Sequence, residues 1–156
     1  MRRFCRVVAI LLFPVLPCAQ SAPAPVMSLP QQAFLRLQSL TGRWEAKTAK
    51  GSIILLSYRM ISADSALVES YTVPSGRETL TIYHLDGTQL MATHYCAQGN
   101  QPRLRLEGTG AAPKMNFNFF DATGLAAPGD SHLRRMEIEW LDADHFNKTE
   151  IYTENG

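Results

Sequence analysis

From Arg43 onward, hydrophobic and polar residues alternate in short runs separated by turn-forming clusters. Alternation with period two puts successive side chains on opposite faces of a strand, so each run predicts a half-buried β-strand. The predicted strands are Arg43–Lys47, Ser52–Ser62, Ala66–Val73, Arg77–Leu85, Thr88–Cys96, Arg103–Glu107, Lys114–Phe120, Arg134–Leu141 and Phe146–Thr153. In Lys114–Phe120, Met115, Phe117 and Phe119 oppose Asn116 and Asn118; in Arg134–Leu141, Met136, Ile138 and Trp140 oppose Arg135, Glu137 and Glu139. Upstream, Phe34, Leu37 and Leu40 recur every three residues behind Pro30, which predicts one short helix over Pro30–Leu40, ended by Gly42.

Nine strands joined by mostly short turns leave no length for parallel crossovers and predict an all-β antiparallel meander. A meander of this size hides its two edges by closing into a barrel. Glu154-Asn155-Gly156 reads as a hairpin turn with no strand after it, so the expectation is a barrel whose closing strand is missing at the C-terminal end. Asp86-Gly87 predicts a two-residue hairpin that sets Leu85 against Thr88, Tyr83 against Leu90, Thr81 against Ala92 and Thr79 against His94. Thr79, Thr81, Tyr83, Leu85, Leu90, Ala92, His94 and Cys96 then share one face; Leu80, Ile82, His84, Gln89, Met91, Thr93 and Tyr95 share the other. Both faces are mixed, and Leu80, Ile82 and Met91 favour the second as internal.

The N-terminus changes the picture of where the chain works. Arg2, Arg3 and Arg6 precede the apolar run Val7–Leu16, and small residues follow around Ala19-Gln20-Ser21. This is the layout of a secretory signal, assigned to residues 1–21, and its apolar run is too short to span a bilayer. Residues 22–29 read as a flexible lead and 30–156 as the barrel domain. The expected location is periplasmic or secreted, with no stable membrane span in the mature form. Removing Arg2, Arg3 and Arg6 takes the 15 basic residues to 12 against 14 acidic, a net charge of −2, which gives no basic field for nucleic acid. Cleavage also leaves Cys96 as the single cysteine, so no internal disulfide holds the domain.

Two resemblances follow from particular residues. Leu40-Thr41-Gly42-Arg43-Trp44, directly after a short helix, resembles the opening motif of the calycins, the superfamily of lipocalins, fatty-acid-binding proteins and nitrobindin-like haem proteins. That resemblance implies a calycin-like β-barrel with Gly42 and Trp44 at its floor. Tyr83-His84-Leu85-Asp86-Gly87, Thr93-His94-Tyr95-Cys96 and Gly99-Asn100-Gln101-Pro102-Arg103 resemble a family of small exported bacterial proteins with a lipocalin-like barrel and no established chemistry. No haem ligand of those families matches a histidine of this chain.

Candidate chemistry concentrates between Thr93 and Arg103. His94, Tyr95, Asn100, Gln101 and Arg103 are candidate ligand-binding residues at a barrel mouth, where a guanidinium suits an anionic head group. Tyr58, Met91, Phe117 and Trp140 are candidate walls for an apolar tail. The competing structural roles give Asn100 and Gln101 to backbone groups of a tight turn, send Arg103 outward opposite Leu104, and make His94 a buried hydrogen-bonded side chain. Cys96 and His94 lie two apart in one strand, about 7 Å, too far for a direct thiol–imidazole bond. His84, His94, His132 and His145, separated by 10, 38 and 13 residues, lack a metal-ligand spacing. No cofactor is expected, although haem requires only one histidine and a cavity. The functional expectation is an exported barrel holding a small apolar or amphiphilic molecule. Its alternatives are an enzyme using His94 as acid or base, and an interaction module with a filled interior.

Overall fold

The computed structural model describes residues 26–48, 50–108, 113–127 and 129–153. The expected signal, half of the expected lead (residues 22–25) and the expected turn at Glu154-Asn155-Gly156 lie outside the described residues. Helix α1 spans Leu29–Gln38, with Pro30 in its first turn. The backbone N–H of Ser28 donates to the side-chain carbonyl of Gln31 at 2.8 Å, which satisfies one exposed donor at the helix start. Nine strands follow: β1 Gly42–Lys47, β2 Ile53–Ile61, β3 Ala66–Thr72, β4 Glu78–Asp86, β5 Gln89–Tyr95, β6 Gln101–Glu107, β7 Lys114–Thr123, β8 Leu133–Trp140 and β9 Phe146–Tyr152. All neighbours pair antiparallel in sequence order, giving one nine-stranded meander that curls into a half-barrel. Among the described residues no helix is long and apolar enough to cross a membrane.

An antiparallel meander places alternate turns at opposite ends. The β2–β3, β4–β5, β6–β7 and β8–β9 connections share one end with the start of β1, and α1 therefore arrives there. Ala33, Phe34 and Leu37 of α1 are buried, with Leu40 beside them in the same core. The Trp44 indole N–H donates to the Leu40 carbonyl at 2.6 Å, and the Arg36 guanidinium lies 4.5 Å over the Trp140 ring. Gly42 enters β1 with φ of 139°, a backbone conformation that side-chain-bearing residues rarely adopt. The Gly-x-Trp pair thus sits beneath the helix at one end of the curled sheet.

The β4–β5 hairpin corrects two expectations. Its turn residues are Gly87 and Thr88, with Asp86 opposite Gln89. Gly87 has φ of 57° and Thr88 is not among the positive-φ residues, so the glycine takes the first turn position, as a type II′ hairpin requires. Cross-strand partners consequently shift by two residues, and Thr81 rather than Thr79 stands opposite His94. The internal face is the first of the two, because Thr81, Tyr83, Leu90, Ala92 and His94 are all buried. Leu80, Ile82 and Thr93 are half-buried and Tyr95 is 46% exposed on the outer face. Met91 is buried, yet it faces outward in a cross-strand row with Ala66, His84 and Arg105. A row of this kind shelters an apolar side chain under its neighbours' stems without placing it in the interior.

Candidate functional site

Reading across the inner face, Tyr58 on β2, Glu69 on β3, Thr81 on β4 and His94 on β5 are direct cross-strand neighbours. All four are buried, so the sheet carries a polar row through an otherwise apolar interior. Strand β9 answers it from across the half-barrel. Asn147, Thr149 and Ile151 are exposed, while Phe146, Lys148, Glu150 and Tyr152 turn inward.

The two sets meet in a continuous network. The Lys148 ammonium contacts Glu69 Oε1 and donates to Glu150 Oε1 at 2.7 Å. The Tyr83 hydroxyl donates to Glu69 Oε2 at 2.7 Å, so both oxygens of that carboxylate are engaged. Glu150 Oε2 accepts from the Tyr152 hydroxyl at 3.3 Å, and the Tyr152 hydroxyl oxygen lies 3.4 Å from His94 Nε2. His94 Nδ1 is 2.9 Å from Thr81 Oγ1. The Tyr58 hydroxyl is buried beside Glu69 without a hydrogen-bond partner among the described residues.

Burial and mutual charge set the protonation states. Burial disfavours the Lys148 cation, but Glu150 and Glu69 together outweigh that and hold its pKa above the ordinary lysine value. Burial likewise opposes ionised Glu150, and Lys148 outweighs it, so Glu150 titrates below the usual carboxylate value. Burial, and then the neighbouring Glu69, raise Tyr58 and Tyr83, which keeps both phenols protonated. Tyr152 is raised by burial and by Glu150. His94 is lowered from 6.5, with burial the largest cause, and is therefore neutral at pH 7.

These directions predict how stability responds to acid. A group whose folded pKa is depressed contributes stability above its unfolded pKa, and loses it as pH falls through the folded value. The urea midpoint should therefore decline in two stages: from His94 below about pH 6.5 and from Glu150 below about pH 4.5. A pH series of urea titrations on His94→Gln should lack the first stage. An unchanged upper stage in that variant would assign the decline to another group.

The network reaches the surface at the end opposite α1. There Glu150 and Tyr152 form part of a cavity of about 340 Å³ whose wall includes Tyr71, Val73, Arg77, Thr79, Cys96 and Gln98. The β5–β6 turn that borders it is tightly built. Asn100 Nδ2 donates to the Ser131 carbonyl at 2.9 Å, Gln101 Nε2 to the Gly99 carbonyl at 3.0 Å, and the Gly99 N–H to the Cys96 carbonyl at 3.0 Å.

Of the residues picked from sequence, the structure brings His94 and Tyr58 into one inner row and sets Phe117 beneath it, its ring edge-on to Tyr83 at 5.8 Å. Gln101 serves a backbone group of its own turn, whereas Asn100 reaches across to the β7–β8 connection and bonds the Ser131 carbonyl there. Arg103 points outward into an ion pair with Asp121, since strand alternation opposes it to buried Leu104. Tyr95 and Met91 belong to the outer face. Trp140 lies at the helix end under Arg36, remote from this cavity. Sequence reasoning missed Glu69, Lys148, Glu150 and Tyr152. Their signal was parity: Lys148 and Glu150 alternate in step with Phe146 and Tyr152, and Glu69 with Leu67 and Tyr71. Comparison with protein-family models, with curated proteins and with solved structures gives no match to this chain.

Proposed function

We propose that this protein is an exported small-molecule carrier of calycin-like build, holding an amphiphilic molecule in the cavity opposite the helix. The observation that carries the reading is the buried network of ionisable groups that surfaces in that cavity through Glu150 and Tyr152. A carboxylate only accepts hydrogen bonds, and the network holds two carboxylates against one ammonium, so the complementary ligand end is a donor such as an amine or alcohol. Tyr71, Val73 and Ala97 supply an apolar wall for the rest of the molecule. The interior beyond is occupied by packed side chains, Leu67, Tyr83, Leu104, Phe117 and Met136 among them. The apolar part of the ligand is therefore held at the mouth instead of along a deep lumen.

Isothermal titration calorimetry with octylamine, octanol and octanoate tests this. Octylamine and octanol should bind ahead of octanoate, and Glu150→Gln should weaken octylamine by about tenfold, the scale of one charge-assisted hydrogen bond. Thr79→Trp should abolish binding by filling the cavity while leaving the urea midpoint near its starting value. Absence of heat with all three compounds, or equal binding by Glu150→Gln, would overturn the reading.

A further inference from the structure

The two edges of the curled sheet face one another. Strands β1 and β9 both line a groove of about 500 Å³, and neither has a strand partner on that side among the described residues. Its floor is made by Trp44, Leu56 and Phe146, with the Trp44 and Phe146 rings in edge-to-face contact at 4.8 Å. Side chains thus bridge the seam from below, while the backbone N–H and C=O groups of the facing edges stay available for a ladder.

Strand direction selects what fits. The first and ninth strands of an antiparallel meander run the same way, so direct closure would need a parallel pairing. One extended segment running the opposite way forms antiparallel ladders with both edges at once. Charge narrows the choice. Lys114 is engaged by Glu137 at 2.7 Å, and Lys148 by Glu69 and Glu150. That leaves Glu45, Glu139 and Asp144 against Lys47, without ion partners among the described residues.

We propose that the β1–β9 groove is a strand-acceptor site. One extended segment of a partner polypeptide, apolar on its inward positions and basic on its outward ones, seats there antiparallel to both edges and completes the wall. Inward side chains rest on Trp44 and Phe146, and outward ammonium groups meet Glu45, Glu139 and Asp144. This site is separate from the cavity at Glu150 and stands or falls independently of it.

The test is amide hydrogen exchange by NMR on the full chain. The probe is a synthetic peptide of about ten residues alternating valine and lysine, long enough to span one strand. Binding should slow exchange of edge amides in both Gly42–Lys47 and Phe146–Tyr152. The valine–glutamate counterpart should bind at least about tenfold more weakly, because like charges now meet across the interface. A peptide N-methylated on alternate amides should not bind, since half of its ladder donors are gone. Three outcomes overturn the proposal: no added protection, protection on one edge alone, or equal binding by the glutamate peptide. Edge amides already protected without peptide would also overturn it, by showing that the chain itself fills the seam.

Discussion

Lys148→Met should lower the free energy of unfolding by about 3–5 kcal/mol, the cost of breaking a buried ion pair by removing one partner. Methionine replaces the length and apolar stem of lysine, so lost packing contributes little and the effect isolates the charge. What remains is Glu69, whose side chain is 1% exposed, facing Glu150 with no cation between them. The remaining donor to Glu69 is Tyr83, which satisfies a single oxygen. Urea titration at pH 7 followed by circular dichroism measures the loss. Lys148→Met combined with Glu69→Gln should recover part of it, because the uncompensated charge is then gone and the amide can still accept from Tyr83. If Lys148→Met costs less than about 1 kcal/mol, the pair behaves as a solvent-screened surface bridge and the buried network does not order the interior.

The same network explains why the fold was easier to read than the site. Strand positions follow from alternation, which is local, and all nine predicted runs overlap observed strands. The two-residue slip at Gly87 left every side chain on its expected face, because a shift of two preserves parity. Alternation does not, however, say which face is inside. On β4 and β5, apolar Leu80, Ile82 and Met91 weighed against polar Thr81 and His94, yet the polar pair went in, satisfied by each other and by β9. The partner that makes burial of Glu69 tolerable is Lys148, 79 residues later, and nothing local to either strand announces it. Pro102 misled in a different way: read as the end of a tight turn, it suggested a strand starting at Arg103, whereas β6 begins at Gln101 and pairs with Thr123, with a bulge between Arg103 and Leu104. A bulge re-aims neighbouring side chains: Phe120 faces outward by alternation with Phe119 and packs against Arg103 and Arg105, and the bulge turns the next residue, Asp121, to that same side, where it meets Arg103.

Phe117→Ala should cost about 3–5 kcal/mol, matching Lys148→Met by a different mechanism. Phe117 is fully buried on β7, between Leu106 and Met136 in cross-strand register, with its ring edge-on to Tyr83. Truncation removes apolar contact area and leaves a void that the flanking strands, fixed by their ladders, cannot close. It also withdraws support from the Tyr83 ring, whose hydroxyl holds Glu69. The electrostatic and apolar halves of the interior are therefore coupled. In a double-mutant cycle, Phe117→Ala and Tyr83→Phe should deviate from additivity by about 0.5 kcal/mol or more, as contacting residues do. Phe117→Leu should retain most of the stability, since it keeps much of the volume. A loss below about 1.5 kcal/mol for Phe117→Ala, the range of a tolerated core swap, would mean that the interior yields around the missing ring. A yielding interior could admit the ligand's apolar part from the mouth, and octylamine affinity would then rise in Phe117→Ala. With a rigid interior the affinity stays at its original value, because Phe117 does not line the Glu150 cavity.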